Sequence, residues 1–234
     1  MTLSTRLNLL AAHAHTEVVA FSQALHDACA AHTPAGLTEA MLPEINESFW
    51  LLITSDALLD ASQHQVLCMV LNRTAPTGVL VALDVTWQPE HWGLPPAAVP
   101  TAEVLRRFQP LAEAAALIRC NSQEAEGFFS SRDPRRIQEQ LAHRPAVLVT
   151  DPGGVIRWSI GGHCGRIAAG LVQNQDIFLA EMLENLCANP QLLAAAGRGI
   201  QTVADPDRLC EQLLKAATAS GESKQEARAL VAAA

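Results

Sequence analysis

The chain has 234 residues, 49% of them hydrophobic and 17% charged, enough apolar material to pack a core within one domain of ordinary size. Its formal net charge is −8 and no basic run occurs anywhere, which excludes an electrostatic surface for nucleic acid or for an anionic membrane. No apolar run reaches the length of a membrane span, and the six cysteines (Cys29, Cys68, Cys120, Cys164, Cys187, Cys210) include no Cys-x-x-Cys pair, so they read as reduced core thiols of a cytoplasmic protein. Residues 6–14 have the outline of a signal peptide, but the apolar part is short and broken by Asn8.

Residues 7–23 fit two patterns. Val18, Phe21, Leu25 and Cys29 recur at helical spacing, whereas LNLLAAHAH and EVVAFSQ fit two short strands meeting at Thr16-Glu17. His26, Cys29 and His32, with His13 and His15 nearby, suggest a metal, yet zinc needs four convergent ligands and a spacing of three drifts across a helix face. Surface histidines in an alanine-rich segment are the simpler reading. Residues 33–36 form a loop, and 37–40 open an element that Pro43 punctuates. The run FWLLI within 48–54 is a buried strand that delivers Ser55-Asp56 to its carboxyl end. Residues 63–72 are a helix with Val66, Leu67, Val70 and Leu71 inward, and 79–83 are the next strand, closed by Asp84.

The central stretch runs from residue 114 to residue 154. Ala115 to Cys120 is a short apolar strand that gives way to a helix capped by Asn121 or Ser122, with Gln123 or Glu124 in the first turn. Asp133-Pro134 starts a second helix, 146–150 is another buried strand, and Asp151-Pro152-Gly153-Gly154 turns the chain. In GGHCG the pair His163-Cys164 could suggest a histidine-activated thiolate, but neighbouring side chains point apart and a hairpin tip accounts for the glycines. Asp176 precedes an apolar helix, where an N-cap alone would explain it. Asn189-Pro190 starts a helix through Ala196 that Gly197-Arg198-Gly199 ends, and Asp205-Pro206 caps a further helix to about residue 217. Residues 219–234 read as a helical or disordered tail, leaving one α/β domain over 1–218.

Alternating strands and helices with right-handed crossovers predict a doubly wound, three-layer α/β/α sandwich on a mostly parallel, Rossmann-like sheet. Ligands of such sheets bind outside the carboxyl ends of the strands, which places Asn121, Glu124, Thr150, Gly153 and Gly154 where a site would lie. No Gly-x-Gly-x-x-Gly follows a first strand, against a dinucleotide-binding oxidoreductase.

The segment GVLVALDVTWQPEHW, residues 78–92, resembles the strand and loop of the fructokinase branch of the ribokinase-like (PfkB-type) carbohydrate kinases, whose usual form is Asp-Pro-Asn, any residue, Arg-Pro, then Leu-Trp. Residues 114–126 are similar to the strand leading into that family's Asn-x-x-Glu motif, here Asn121 to Glu124. Residues 147–154 look like its nucleotide-loop strand, and QNQDIFLAEML, residues 173–183, aligns with its Gly-Ala-Gly-Asp signature and following helix. The resemblance covers about residues 37–186 and implies a ribokinase-like fold, with residues 1–36 as lid-like strands or a helix. It also implies ATP- and Mg2+-dependent transfer of the γ-phosphoryl group to a sugar hydroxyl. Asp176 would be the base, while Asn121 and Glu124 would orient Mg2+ and its waters. Thr150, Gly153, Gly154, Asn174 and Gln175 would border the nucleotide, and Asp84, Thr86 and Gln88 would face the sugar.

The departures fall where that chemistry would be. Gln173 and Gln175 replace the signature glycines, crowding an approach that glycine permits. Thr86 and Gln88 stand at the Asn and Arg positions of the sugar-side loop, the nucleotide turn is shortened, and the family's opening strands are not matched. For Asn121 and Glu124 a plain helix start is the competing explanation. Two readings follow: a degenerate kinase kept for binding or assembly, and an active kinase with an unusual substrate or a partner-supplied part. Unmatched first strands would leave an open edge, so a homo-oligomer or partner contact through 7–23 is expected.

Overall fold

The computed structural model describes residues 18–28, 33–196 and 203–232, with side chains through residue 221. Residues 7–17, His13, His15, Cys29, His32 and the helix end placed at Gly197-Arg198-Gly199 lie outside the described residues. A seven-stranded sheet forms the middle layer, with strands β1 (Val18–Ala20), β2 (Trp50–Thr54), β3 (Leu80–Asp84), β4 (Ala115–Asn121), β5 (Ala146–Thr150), β6 (Ile156–Ile160) and β7 (His163–Ile167). They lie side by side in chain order; the first five are parallel and the last two antiparallel. The fold is therefore a mostly parallel α/β/α sandwich.

The winding is simpler than the doubly wound order expected. Crossovers between parallel strands are right-handed as a rule, so a strand order that never reverses within the parallel part puts the connecting helices on one face, where their buried residues cluster. These are α1 (Phe21–Asp27), α2 (Pro34–Glu47), α3 (Ala61–Thr74), α4 (Ala102–Ala114), α5 (Ser122–Phe129) and α6 (Pro134–Gln140). Their buried residues, among them Met41, Ile45, Leu67, Leu111 and Ile137, pack on Leu51, Ile53, Leu83, Ile118 and Val149 of the sheet. Alternation along the strands sends Trp50, Leu52, Ala82, Leu117 and Leu148 to the opposite face. That face is covered by α7 (Gln175–Ala188), a 3-10 segment (Pro190–Ala196) and α8 (Pro206–Ala232). Trp50, fully buried, also donates from Nε1 to the Leu183 carbonyl at 3.2 Å and ties β2 to α7.

Several boundaries moved for local reasons. Helix α2 begins at Pro34 behind a Thr33 cap and runs through Pro43 to Glu47, because the interior proline sits where packing of Met41 and Ile45 outweighs one missing N–H. Helix α4, which the sequence reading did not place, is capped by Thr101 and tolerates Pro110 in the same way. The GGHCG stretch is a two-residue hairpin turn: Gly161 and Gly162 have φ of 58° and 86°, as such turns demand. Helix α8 continues past the boundary set at residue 218. Among the described residues no helix is long and apolar enough to cross a membrane.

Candidate functional site

The same alternation that buries Ala82 and Leu117 points Asp84, Arg119 and Thr150 toward the α7 side of the sheet, at the carboxyl ends of β3, β4 and β5. Arg119 is the decisive member. Its Nε donates to Asp84 Oδ1 at 2.7 Å and one Nη to Asp84 Oδ2 at 2.5 Å, a bidentate pair whose side chains are 6% and 5% exposed. The guanidinium then reaches α7: Nη1 donates to the Gln175 carbonyl at 2.8 Å, and Nη1 and Nη2 donate to Asp176 Oδ1 at 3.1 and 3.0 Å. Burial alone would pull the guanidinium pKa down; the charges and hydrogen bonds of Asp84 and Asp176 outweigh it and leave the pKa raised. Arg119 was passed over within an apolar strand, although a charge in such a run is itself a sign, since buried charges need partners.

Helix α7 opens with two of its first-turn donors already used. Asn174, not Asp176, is its N-cap, and Asn174 Oδ1 accepts from the N–H groups of Asp176 and Ile177 at 3.0 and 3.2 Å. Gln173 turns away toward α8, its N–H donating to Ser220 Oγ at 3.3 Å. Arg119 thus bridges Asp84 and Asp176, and beside the bridge there remains only a small pocket, which Gln175 borders and Gln173 and Trp87 do not.

Asn121 and Glu124 form a capping box at the start of α5. Asn121 Oδ1 accepts from the N–H groups of Gln123 and Glu124 at 2.8 and 2.9 Å, and Glu124 Oε2 accepts from Asn121 N–H at 2.7 Å. Glu124 Oε1 accepts from Trp87 N–H at 3.1 Å, so one carboxylate joins the loop after β3 to the helix after β4. Burial raises the Glu124 pKa to about 7, with the two backbone donors opposing and the Asp84 charge adding. Burial likewise raises the Cys120 thiol well above its usual value, so it is held protonated. Among the described residues no group of three or more His, Cys, Asp or Glu side chains could hold a metal ion.

The remaining predicted positions divide. Thr86 is tied to the end of β2, its Oγ1 donating to Asp56 Oδ2 at 2.9 Å and its N–H to Ser55 Oγ at 2.8 Å. Gln88 lies farther out, with Trp87, on the wall of a separate cavity. Gly153 and Gly154 stand in the β5–β6 hairpin, where Gly154 has φ of +80° and a side chain at either would meet open space. Asp151 in that turn is held by Arg157 through contacts of 2.7 and 2.8 Å. Asp84, Thr86, Arg119, Asn121, Glu124, Thr150 and Gln175 line one polar pocket of about 90 Å3, well below the roughly 300–1,000 Å3 usual for small-molecule sites.

No protein-family model and no curated protein matches the sequence. Solved structures do share the architecture. Fructokinase with bound ATP from Xylella fastidiosa superimposes with a TM-score of 0.57 at 18% identity, covering 81% of this chain and 57% of its own. The fold is that of the PfkB-type carbohydrate kinases. A PfkB protein from Polaromonas gives a TM-score of 0.55 at 16% identity, with 82% and 60% covered. Fructokinase from Vibrio cholerae in its fructose, ADP and calcium ion bound form gives 0.50 at 16% identity, with 74% and 52% covered. The chain spans a little over half the length of these solved structures.

Proposed function

We propose that this chain is a carbohydrate-kinase-like protein that has kept the scaffold for a binding or assembly role and does not transfer phosphoryl groups. The observation that carries this reading is the Arg119 guanidinium, bound at once to Asp84 and Asp176. A general base needs a carboxylate lone pair facing the substrate hydroxyl, and Asp176 Oδ1 is instead engaged by two guanidinium donors. Triphosphate recognition at a helix start needs unused N–H groups, and those of Asp176 and Ile177 are taken by Asn174. The oxygens of Asn121 and Glu124 that would orient Mg2+ likewise accept from backbone donors. ATP and Mg2+ do not fit the residues present. The predicted roles of Asp84, Thr86, Thr150, Gly153 and Gly154 would then be vestigial.

The test is thermal melting with Mg2+ and ATP, because any ligand that binds the native state raises Tm by mass action. No saturable rise is expected up to ~5 mM nucleotide, where a site with a Kd of 50 µM would gain about 2.7 kcal/mol. Phosphate transfer from ATP to a hexose, lost in Asp176→Asn, would reverse the conclusion.

One observation favours the second reading, an active ATP- and Mg2+-dependent small-molecule kinase: Glu124 is a carboxyl shifted to about 7 in a polar pocket, a pattern that marks working sites. In that case a partner chain or bound substrate would have to draw Arg119 away from Asp176. A homo-oligomer or partner contact through the N-terminal segment remains part of our proposal, as does a cytoplasmic location. Light scattering at micromolar concentration giving a monodisperse monomer would count against self-association.

A further inference from the structure

The sheet ends at β7, and the middle of that strand, Cys164, Gly165 and Arg166, is exposed. The β6–β7 turn has two residues, so Ile160 and His163 close the hairpin as a hydrogen-bonded pair and the two kinds of pair alternate from there. Trp158–Gly165 and Ile156–Ile167 continue the bonded set. Cys164 and Arg166, opposite Ser159 and Arg157, therefore turn their backbone N–H and C=O groups away from β6. The strand is fixed in place. Gly165 receives the Trp158 ring, since a Cβ there would lie 2.6 Å from Trp158 Cζ2. At the turn His163 Nε2 donates to the Ala204 carbonyl at 2.9 Å, and Ala204 N–H donates to the Gly161 carbonyl at 2.7 Å.

The side chains beside this edge set the charge of what can pair with it. Residues 132–166, which build α6 and β5 to β7, carry six arginines against three carboxylates in a chain whose net charge is −8, so this corner is locally basic. Alternation sends Trp158 and Ile160 to the α7 side and leaves Arg157, Ser159, Cys164 and Arg166 on the α6 side, where Ser159 Oγ donates to Gln138 Oε1 at 2.9 Å. Helix α6 packs over β5 and β6, and Cys164 and Arg166 lie bare beyond it. Arg157 and Arg166 stand opposite each other across the ladder, an arrangement that is destabilising while like charges are unmatched. Asp151 neutralises Arg157 through contacts of 2.7 and 2.8 Å. Arg166 forms no ion pair among the described residues. A carboxylate on a strand laid against β7 would match it.

We propose that β7 is a docking edge for a different protein, which adds an extended segment with carboxylates at alternate positions as a further strand of the sheet. Backbone bonds to Cys164 and Arg166 supply the pairing, and the carboxylate beside Arg166 supplies the selectivity. A second copy of the same edge fits poorly, because it would bring a like-charged corner against this one. The surface lies at the opposite end of the strand order from β1 and shares no residue with the Asp84–Arg119–Asp176 cluster, so it does not depend on whether phosphoryl transfer occurs.

The test uses the full chain and two fluorescein-labelled heptapeptides, Thr-Glu-Val-Glu-Val-Glu-Thr and its counterpart with lysine at each glutamate, followed by fluorescence anisotropy. The acidic peptide should bind saturably and at least about tenfold more tightly than the basic one, and its binding should weaken as salt rises from about 50 to 300 mM. Amide hydrogen exchange at Cys164 and Arg166 should slow when it binds. Cys164→Pro removes an outward N–H and leaves the charge unchanged, and it should abolish binding. Arg166→Glu keeps the backbone and should transfer the preference to the basic peptide. Circular dichroism melting checks that both variants fold; should Cys164→Pro not fold, Arg166→Glu and the exchange measurement on the parent chain still decide. The proposal is overturned by no saturable binding of the acidic peptide up to about 2 mM, by equal binding of the two peptides, or by exchange that slows elsewhere and not in β7. Self-association of the parent chain that Cys164→Pro removes would put a second copy on the edge and overturn it as well.

Discussion

Arg119 and Asp84 meet through two parallel hydrogen bonds on adjacent strands, with both side chains almost wholly removed from water. Their register follows from the β3–β4 pairing, which sets Asp84 beside Arg119 across the ladder. Asp176 adds a second carboxylate from the opposite layer, so the cluster links two sheet strands to the first turn of α7.

Breaking this pair from one side should be costly. Arg119→Met leaves Asp84 buried beside an apolar stem, and loss of one partner of a buried pair typically costs about 3–5 kcal/mol. The double variant Asp84→Asn with Arg119→Met should recover much of that loss, since no buried charge remains unmatched. Urea denaturation of the three proteins measures both steps, and equal loss in the single and double variants would contradict the ion-pair account.

The Glu124 carboxyl should make stability fall as pH rises through the neutral range. Its pKa is raised from 4.5 to about 7, so between those values the folded chain binds a proton that the unfolded chain releases. The contribution is fully present below about pH 4.5 and is lost as pH climbs to about 7, a span worth roughly 3 kcal/mol at 1.36 kcal/mol per pKa unit. Glu124→Gln should flatten this part of the stability curve relative to the parent chain. Fluorescence of the parent should also change with a midpoint near 7, because a protonated carboxyl cannot accept from both Trp87 and Asn121 as the carboxylate does.

Asn174→Ala removes the acceptor for two α7 N–H groups and should cost about 1 kcal/mol, as N-cap deletions do. Asn121→Ala should cost a similar amount at α5. If Asn174→Ala also confers a nucleotide-dependent rise in Tm that the parent lacks, the cap is what closes the helix to phosphate.

Two glycines with similar backbones should respond differently. Gly161 and Gly170 have φ of +58° and +84°, but a Cβ at Gly161 would lie 2.5 Å from both the Leu192 carbonyl and Ala204 Cβ, while one at Gly170 meets nothing. Gly170→Ala should therefore show only the left-handed penalty, about 1–2 kcal/mol. Gly161→Ala should lose clearly more, and differential melting of the two variants reads the gap.

The sequence disclosed the layers better than the site. Runs such as LLIT, VALD and AVLVT have one interpretation as buried strands, and Asn121, Asp133 and Asp205 announce helix starts through their own short-range chemistry. The roles of Asp84 and Asp176 depend instead on a long-range meeting. Arg119 lies 35 residues from one and 57 from the other, and their contact exists only once β3 pairs with β4 and α7 covers the sheet. Helix α4 escaped notice because Pro110 interrupts its pattern, and Asn174 was overlooked as a cap because the aspartate beside it offered a more familiar explanation.

The one-directional winding governs the order in which the protein can become watertight. As the chain leaves the ribosome, β1 through β5 and all their crossovers emerge before any residue of α7 or α8, so one side of the nascent sheet is clothed while Trp50, Leu52, Ala82 and Leu148 still face solvent. The late helices thus act as a closing panel, and the Arg119–Asp176 contact is a bond that synthesis allows only after every strand of the sheet has been made. Until then the emerging half-sandwich is the species that chaperones would have to shield.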